Sequence, residues 1–152
     1  MIFKPIRAKI NTGKYIFFLI LIFSKNTFSQ NTTDTAAIKK QLTEILDRDQ
    51  KTRSRGDSSQ FMEYIDSTNQ IYAEALISKY GWLGKSFVGV SGNQAIFLVI
   101  QHAGIKKQEK YLPLLIQSVK DGESRESDLA LLQDRVLMRH GEKQIYGSQL
   151  IS

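Results

Sequence analysis

Polar residues occur in this chain where apolar ones would complete the buried face of a helix. The apolar stripe that starts at Ile38 recurs at three- and four-residue steps and leads to Asp49, with Arg53 one turn further and Gln50 on the neighbouring row. An Asp–Arg pair at i,i+4 that fastens a helix end accounts for them structurally. The functional alternative is a charged wall of a cleft.

Gln101 and His102 close the most hydrophobic segment of the chain that follows the N-terminal region. A buried imidazole or amide needs partners, because an unpaired polar group in a core costs about 1–3 kcal/mol. A hydrogen-bonded core histidine is therefore one interpretation of His102. The other is a general base, since the charge of histidine changes near neutral pH.

Asp134 and Arg135 interrupt a second near-continuous apolar run, residues 129–138. Adjacent residues of a helix point about 100° apart, so these two cannot pair with each other. Asp134 with Arg53, or Arg135 with Asp49, would make a buried network. Such networks stabilise the fold as often as they take part in catalysis.

The segment 144–149 is dense in hydrogen-bonding groups and contains Gly147, which lets a backbone approach a ligand closely. Its tyrosine and amides are typical of a sugar- or amide-binding surface and equally of a hydrated edge strand. We expect all these residues to converge in one polar pocket. The expected catalytic residues are His102, Asp49 and Asp134, and the expected binding residues are Gln50, Arg53, Gln101, Arg135, Gln144, Tyr146 and Gln149.

Three functions stay open for this pocket. In an enzyme, His102 would be a general base that Asp49 or Asp134 orients, an arginine would hold negative charge, and the reaction would be hydrolysis of an envelope or environmental metabolite. The second function is binding of a small polar molecule or peptide without turnover, and the third is a purely structural network. We expect no metal and no cofactor, because the chain has two histidines, no cysteine and no phosphate-binding glycine loop.

The first thirty residues have the order of a secretory signal peptide, predicted for residues 1–29. Lys4, Arg7, Lys9 and Lys14 precede an apolar run at 15–23, and a short polar stretch ends in the small Ser29. A membrane-spanning helix, the alternative, needs about 20 apolar residues, roughly twice this run. We therefore expect export to the periplasm or outside the cell, with no stable membrane anchor after cleavage.

Five of the six formal positive charges belong to this leader. Removing it leaves 16 basic against 15 acidic residues, so net charge gives no support for binding nucleic acid. The partner we expect is a small molecule or a peptide. With no cysteine there are no disulfides, and about 120 residues suit one domain that depends on its core alone.

The fold predicted is mainly α: a single helical domain at 37–152 after a flexible lead-in at 30–36. Apolar periodicity predicts five helices, near 35–52, 60–80, 93–103, 106–120 and 127–138, although a buried strand competes at 93–103. A short extended segment or β-hairpin follows at 144–150. The predicted core residues are Trp82, Phe97, Leu98, Leu114, Leu115, Leu131 and Leu132.

Several short motifs appear in a fixed order along the chain. They are Asp49-Gln50 with Arg53, Tyr80-Gly81-Trp82, Gln101-His102-Ala103, Tyr111-Leu112-Pro113-Leu114-Leu115, Leu131-Leu132 with Asp134-Arg135, and Gln144 with Tyr146-Gly147-Ser148-Gln149. In these motifs the chain resembles a family of uncharacterised bacterial proteins, many of them exported, that share a domain of unknown function. The resemblance implies a shared architecture and a shared polar cluster, and it implies no activity.

The chain departs from the pattern of that family at three places. Leu83 follows Gly-Trp where the family favours proline, and Gly104 follows Gln-His-Ala where the family favours an acid. Relatives also run further past the Tyr-Gly-x-Gln motif, whereas this sequence stops at Ser152. A site that used that acid or that tail would be altered here.

Overall fold

The computed structural model describes the backbone of residues 13–150 and the side chains of residues 34–150. Five helices occur in that range: α1 Gly13–Arg55, α2 Ser59–Tyr80, α3 Lys85–Gln101, α4 Ile105–Lys120 and α5 Glu126–Arg139. The predicted mainly α fold is confirmed. Residues 1–12 of the predicted leader lie outside the described range.

The chain divides into two compact units, Met1–Ala36 and Ala37–Ser152. Residues 30–36, for which the sequence predicts a flexible lead-in, have helical backbone within α1. Residues 141–150 form turns, bends and irregular backbone without any strand, so of the predicted alternatives, a short extended segment or a β-hairpin, the hairpin is not present in this segment. Among the described residues, no helix combines the length and the apolar character needed to cross a membrane.

Helix α3 is the centre of the core in the second unit. Ile96 and Ile100 are fully buried, and they belong to one apolar cluster with Leu42 of α1, Leu115 of α4 and Leu132 of α5. A helix enclosed by its neighbours is apolar on nearly every side, which explains the unbroken apolar run at 95–100. The helix interpretation of this segment is confirmed, and the buried strand is not.

The predicted core residues differ in how deeply they are buried. Phe97, Leu115 and Leu132 are buried, as predicted. Three more are partly buried and pack against the same cluster: Trp82, Leu98 and Leu131. Leu114 was wrongly predicted as core, because it is 38% exposed and faces a groove of about 400 Å³ that also has Trp82 in its wall.

Glycines and caps define where the helices around α3 begin and end. Gly81 ends α2 with φ at 74°, and its N–H donates to the carbonyl of Ile77 at 2.9 Å. Helix α3 begins earlier than predicted, at Lys85, because its first turn and its main body are joined at Gly89, where φ is 77°. Only a residue without a Cβ adopts that backbone conformation cheaply.

A network of neutral hydrogen bonds fixes the first half of α3. The hydroxyl of Ser124 accepts from the indole N–H of Trp82 at 3.0 Å and from the amide of Asn93 at 2.9 Å, and it lies 2.7 Å from the hydroxyl of Ser118. Asn93, Ser118 and Ser124 are buried. This network holds α3 in register with α4 and with the turn before α5, and so it sets where the other end of α3 lies.

Candidate functional site

Four charged or titratable side chains meet where the ends of two helices approach the middle of a third. Asp49 and Arg53 lie one turn apart near the end of α1, Asp66 lies in α2, and His102 is the residue that caps α3. We call these four residues the charged centre. Its parts are positioned by the packing of α1 and α3 and by the backbone N–H of His102, which donates to Leu98 at 2.9 Å.

One guanidinium nitrogen stands between the other three side chains. Nη2 of Arg53 lies 2.6 Å from Oδ1 of Asp66, 2.6 Å from Nδ1 of His102 and 3.1 Å from Oδ1 of Asp49. Nε of Arg53 also donates to Oδ1 of Asp49, at 3.1 Å. Three acceptor groups from three helices thus converge on a single cationic nitrogen.

This geometry determines which ring nitrogen of His102 carries the proton. An arginine nitrogen only donates, so Nδ1 of His102, at 2.6 Å from Nη2, must accept. Oδ1 of Asp49 also lies 3.3 Å from Nδ1, but a nitrogen that accepts from Arg53 has no proton to donate to Asp49. In this arrangement the imidazole is neutral and its proton is on Nε2.

The pKa values follow from this pairing. Burial opposes ionisation of Asp49, yet the hydrogen bond and the positive charge of Arg53 favour the carboxylate, and the pKa of that carboxyl lies below its ordinary value. Burial also acts against the charge of Arg53, but the carboxylates of Asp49 and Asp66 raise the pKa of its guanidinium above the usual value. Both groups are therefore ionised at neutral pH.

The charged centre is only partly shielded from solvent. Side-chain exposure rises from 6% at Asp49 through 17% at His102 and 21% at Asp66 to 31% at Arg53. The recess beside it, lined by Asp49, Thr52, Arg53, Met62, Ile65 and Asp66, has no room for a water molecule. Gln50 is exposed and donates from its amide to Oδ2 of Asp49 at 3.1 Å, so it contacts the centre from outside.

Three of these residues form a group that could hold a metal ion. Asp49, Asp66 and His102 each offer one ligand atom, and these atoms all lie within 4.8 Å of one another. Two carboxylate oxygens with an imidazole nitrogen are a donor set that suits divalent transition metals.

Arg135 and Gln101 lie beside the charged centre. Nη1 of Arg135 donates to the carbonyl of Gln101 at 3.1 Å, and its Nε donates to the side chain of Gln149 at 3.0 Å. Burial and the positive charges of Arg139 and Arg53 lower the pKa of Arg135. The predicted pair of Arg135 with Asp49 was wrong, and Arg135 instead ties the end of α3 to the C-terminal segment.

Asp134 occupies a different environment, although the sequence predicts a role beside His102. Its fully buried carboxylate accepts from the backbone N–H groups of Ile145, Tyr146 and Ser148 at 2.8–3.2 Å. Burial opposes its ionisation, yet these N–H groups lower its pKa to about 2. The predicted pair of Asp134 with Arg53 was wrong, and of the two candidate aspartates it is Asp49 that reaches His102.

The C-terminal segment is closed on itself by its two glutamines. The amide nitrogen of Gln144 donates to the carbonyl of Gln149 at 3.0 Å, and the backbone N–H of Gln149 donates to the side-chain oxygen of Gln144 at 2.8 Å. Tyr146 contributes its backbone N–H to Asp134, while its side chain is 57% exposed. These residues therefore belong to the segment that surrounds Asp134, and they do not lie at the charged centre.

Sequence reasoning missed Asp66. A signal for it exists, because Met62, Ile65, Asp66 and Asn69 follow three- and four-residue steps on α2, and Ile65 and Asn69 are buried. An acid in that row is the counterpart of Asp49 on α1. The ten residues that were expected to form one pocket thus lie in two places, the charged centre and the surroundings of Asp134.

A family model described as "Family of unknown function (DUF6624)" matches residues 25–152, and the chain belongs to that family. No curated protein and no solved structure matches the chain.

Proposed function

We propose that this member of the DUF6624 family is an exported protein whose charged centre binds a small cationic ligand. The observation that supports this most is the position of Nη2 of Arg53, which is 2.6–3.1 Å from acceptors on Asp49, Asp66 and His102. Those acceptors surround a point that favours positive charge. Arg53 supplies that charge from within the chain.

The charge of the centre favours a cation over an anion. Two ionised carboxylates face one guanidinium, and the imidazole is neutral, so the four side chains carry one net negative charge. When Arg53 turns outward, the remaining three groups carry two. Because Arg53 is 31% exposed at the end of α1, its long side chain can move its head group into water without unpacking the core.

The size of the recess limits the ligand. Pockets for drug-sized organic molecules measure about 300–1,000 Å³, whereas the recess beside Asp49 has no room for a single water molecule. A ligand must therefore take the place of the guanidinium head itself. That restricts the ligand to an ion or to a compact cationic group.

Chemical rescue tests this proposal directly. In Arg53→Ala, guanidinium ion at low millimolar concentration should raise the melting temperature in a saturable way, with equal NaCl as the salt control. Arg48→Ala is the matched control, because Arg48 also lies on α1 but donates to a neutral acceptor, the side chain of Asn69, at 2.7 Å. Rescue of neither variant, with similar losses of stability in both, would make the centre a purely structural ion-pair network.

A second candidate function is hydrolysis with His102 as the general base. The distance of 3.3 Å between Oδ1 of Asp49 and Nδ1 of His102 favours it. Once Arg53 moves away, Nδ1 can carry the ring proton and donate a hydrogen bond to Asp49, which leaves Nε2 free to accept a proton from water or substrate.

An NMR pH titration of the His102 ring tests this second function, with the resonances assigned by a His140→Gln variant. A base oriented by Asp49 should titrate, and its midpoint should move in Asp49→Asn. Absence of any titration between pH 4 and 9 would rule out His102 as a base.

Export is the part of the proposal that concerns location. It is supported by the four basic residues before position 15, the apolar run at 15–23 and the absence of any acid before Asp34. The family match begins at residue 25, which leaves most of the leader outside it. N-terminal sequencing of the protein made in a bacterial host should give a start near Gln30, whereas an intact Met1 in the mature fraction would contradict export by this route.

A further inference from the structure

We infer that the cation which the charged centre takes up is a divalent transition-metal ion, held by Asp49, Asp66 and His102. The inference rests on the proposed cation-binding function and names its ligand. Its basis is a group of three metal-ligating atoms from three helices, within 4.8 Å of one another, with a cationic nitrogen already between them.

One distance between the candidate ligand atoms already suits a small ion. Metal–ligand distances for such donors are about 2.0–2.2 Å, and ligands in a tetrahedral arrangement then lie about 3.4 Å apart. Nδ1 of His102 and Oδ1 of Asp49 are already 3.3 Å apart. Oδ1 of Asp66 and Nδ1 of His102 each lie 2.6 Å from Nη2 of Arg53, so modest side-chain rotations bring them to coordination distance.

The lone pair of His102 also has the direction that a metal ligand needs. Nδ1 of His102 accepts from Arg53, so its lone pair already faces the position that the ion would take. A metal ion would therefore replace the guanidinium head at a position that the three candidate ligand atoms already surround. One imidazole and two carboxylates favour Zn²⁺ or a neighbouring divalent metal over Ca²⁺, which prefers six to eight oxygen ligands.

Neighbouring groups hold the ligands in place. Gln50 donates to Oδ2 of Asp49 at 3.1 Å, which leaves Oδ1 directed at the centre. Arg135 donates to the carbonyl of Gln101 at 3.1 Å and so fixes the backbone next to His102. Such outer partners orient metal ligands in known sites. With three protein ligands, a tetrahedral ion keeps one position for water.

Arg53 is then an internal competitor of the metal. Its head group must leave before the ion binds, and its positive charge opposes the ion at short range. Removing Arg53 should therefore tighten metal binding. A purely structural role for the charged centre does not predict this result. The competition also predicts that wild-type affinity is modest, since part of the binding free energy is used to displace the guanidinium.

Isothermal titration of the purified protein with ZnCl₂ tests the inference. We expect one site, roughly tenfold or more tighter in Arg53→Gln than in wild type and roughly a hundredfold or more weaker in His102→Gln. Asp66→Asn serves as a second ligand variant if His102→Gln folds poorly. His140→Gln is the matched control, because His140 with Glu109 is an exposed histidine–carboxylate pair on the described surface.

Two results would overturn the metal inference. One is zinc binding that His140→Gln abolishes, which would place the ion at the exposed pair. The other is an affinity that Arg53→Gln fails to increase or that both ligand variants leave unchanged. If guanidinium still rescues Arg53→Ala in either case, the proposed cation site stands and only the identity of its ligand is wrong; if guanidinium also fails, both proposals fall.

Discussion

Asp49 and Asp134 are two buried aspartates with lowered pKa values, and they reach that state by different means. Three backbone N–H groups, from Ile145, Tyr146 and Ser148, surround the carboxylate of Asp134. The carboxylate of Asp49 is instead paired with side chains, chiefly the guanidinium of Arg53 and the amide of Gln50. Both aspartates follow apolar rows in the sequence, and the difference between them becomes visible only in three dimensions.

The kind of partner decides what each carboxylate can do. Backbone donors are fixed by the fold, so Asp134 cannot exchange them without unfolding the C-terminal segment, and its role is to hold that segment. The groups that pair with Asp49 lie at the ends of long, partly exposed side chains. These side chains can move while the helices stay packed. We therefore propose that Asp134 stabilises the fold and that Asp49 takes part in ligand exchange, a division that substitutions in the two regions can test.

Asp134→Asn should destabilise the protein more than any single substitution at the charged centre. The asparagine amide places its N–H₂ group beside a backbone N–H, so two hydrogen-bond donors face each other with no acceptor between them. The three backbone N–H groups also lose a charged acceptor. We expect the melting temperature to fall by several degrees. Hydrogen exchange at Ile145, Tyr146 and Ser148 should accelerate together, whereas unchanged protection there would contradict the structural role.

Acid should destabilise the wild type mainly through Asp134. Its pKa is about 2 in the folded protein against 3.8 for the ordinary side chain, so its stabilising effect is complete above pH 3.8 and is lost as pH falls toward 2. The pKa of Asp49 is lowered as well and acts in the same direction. Melting temperature measured from pH 5 to pH 2 should fall more steeply in wild type than in Asp134→Asn, and parallel curves would contradict this.

Asp49→Asn should cost less, about 1–2 kcal/mol of unfolding free energy. Asparagine keeps one oxygen acceptor for Arg53, and Arg53 keeps its contact with Asp66 at 2.6 Å. Urea denaturation measures this difference. A loss as large as that of Asp134→Asn would mean that the charged centre is also architectural.

Gly147→Ala should have the smallest effect, about 1 kcal/mol. Gly147 has φ at 66°, but a Cβ at that position would meet nothing within 4 Å, so the loss comes from backbone strain alone. Because Gly147 lies between Tyr146 and Ser148, the change should be felt at Asp134 and not at His102. Chemical shifts of the His102 ring that move in this variant would show that the two regions are coupled.

Local patterns in the sequence predict much of the fold and part of the charged centre. The five helices follow from apolar periodicity, which depends on near neighbours in sequence. Asp49, Arg53 and His102 were predicted because polar residues break apolar rows. Asp66 was missed, and Asp134 was placed beside His102, because the arrangement of α2 and of residues 144–149 depends on packing between distant segments.

The partners of Asp134 could not have been predicted from side-chain types, because its donors are backbone groups that every residue other than proline possesses. Leu114 shows the same limit for the core. It follows the apolar pattern of α4 but borders a groove, and the choice between Leu114 and Leu115 depends on which face of α4 meets α3 and α5.

The most direct measurement is the ¹⁵N NMR spectrum of the His102 ring, recorded for wild type and for Arg53→Gln with and without ZnCl₂. We expect a neutral ring with its proton on Nε2 in metal-free wild type, because Nδ1 accepts from Arg53. In Arg53→Gln, zinc should shift Nδ1 to the range of a metal-bound nitrogen while His140 stays unchanged. A proton on Nδ1 in wild type, or a His102 ring indifferent to zinc in Arg53→Gln, would contradict the claim that this position exchanges an internal cation for a metal ion.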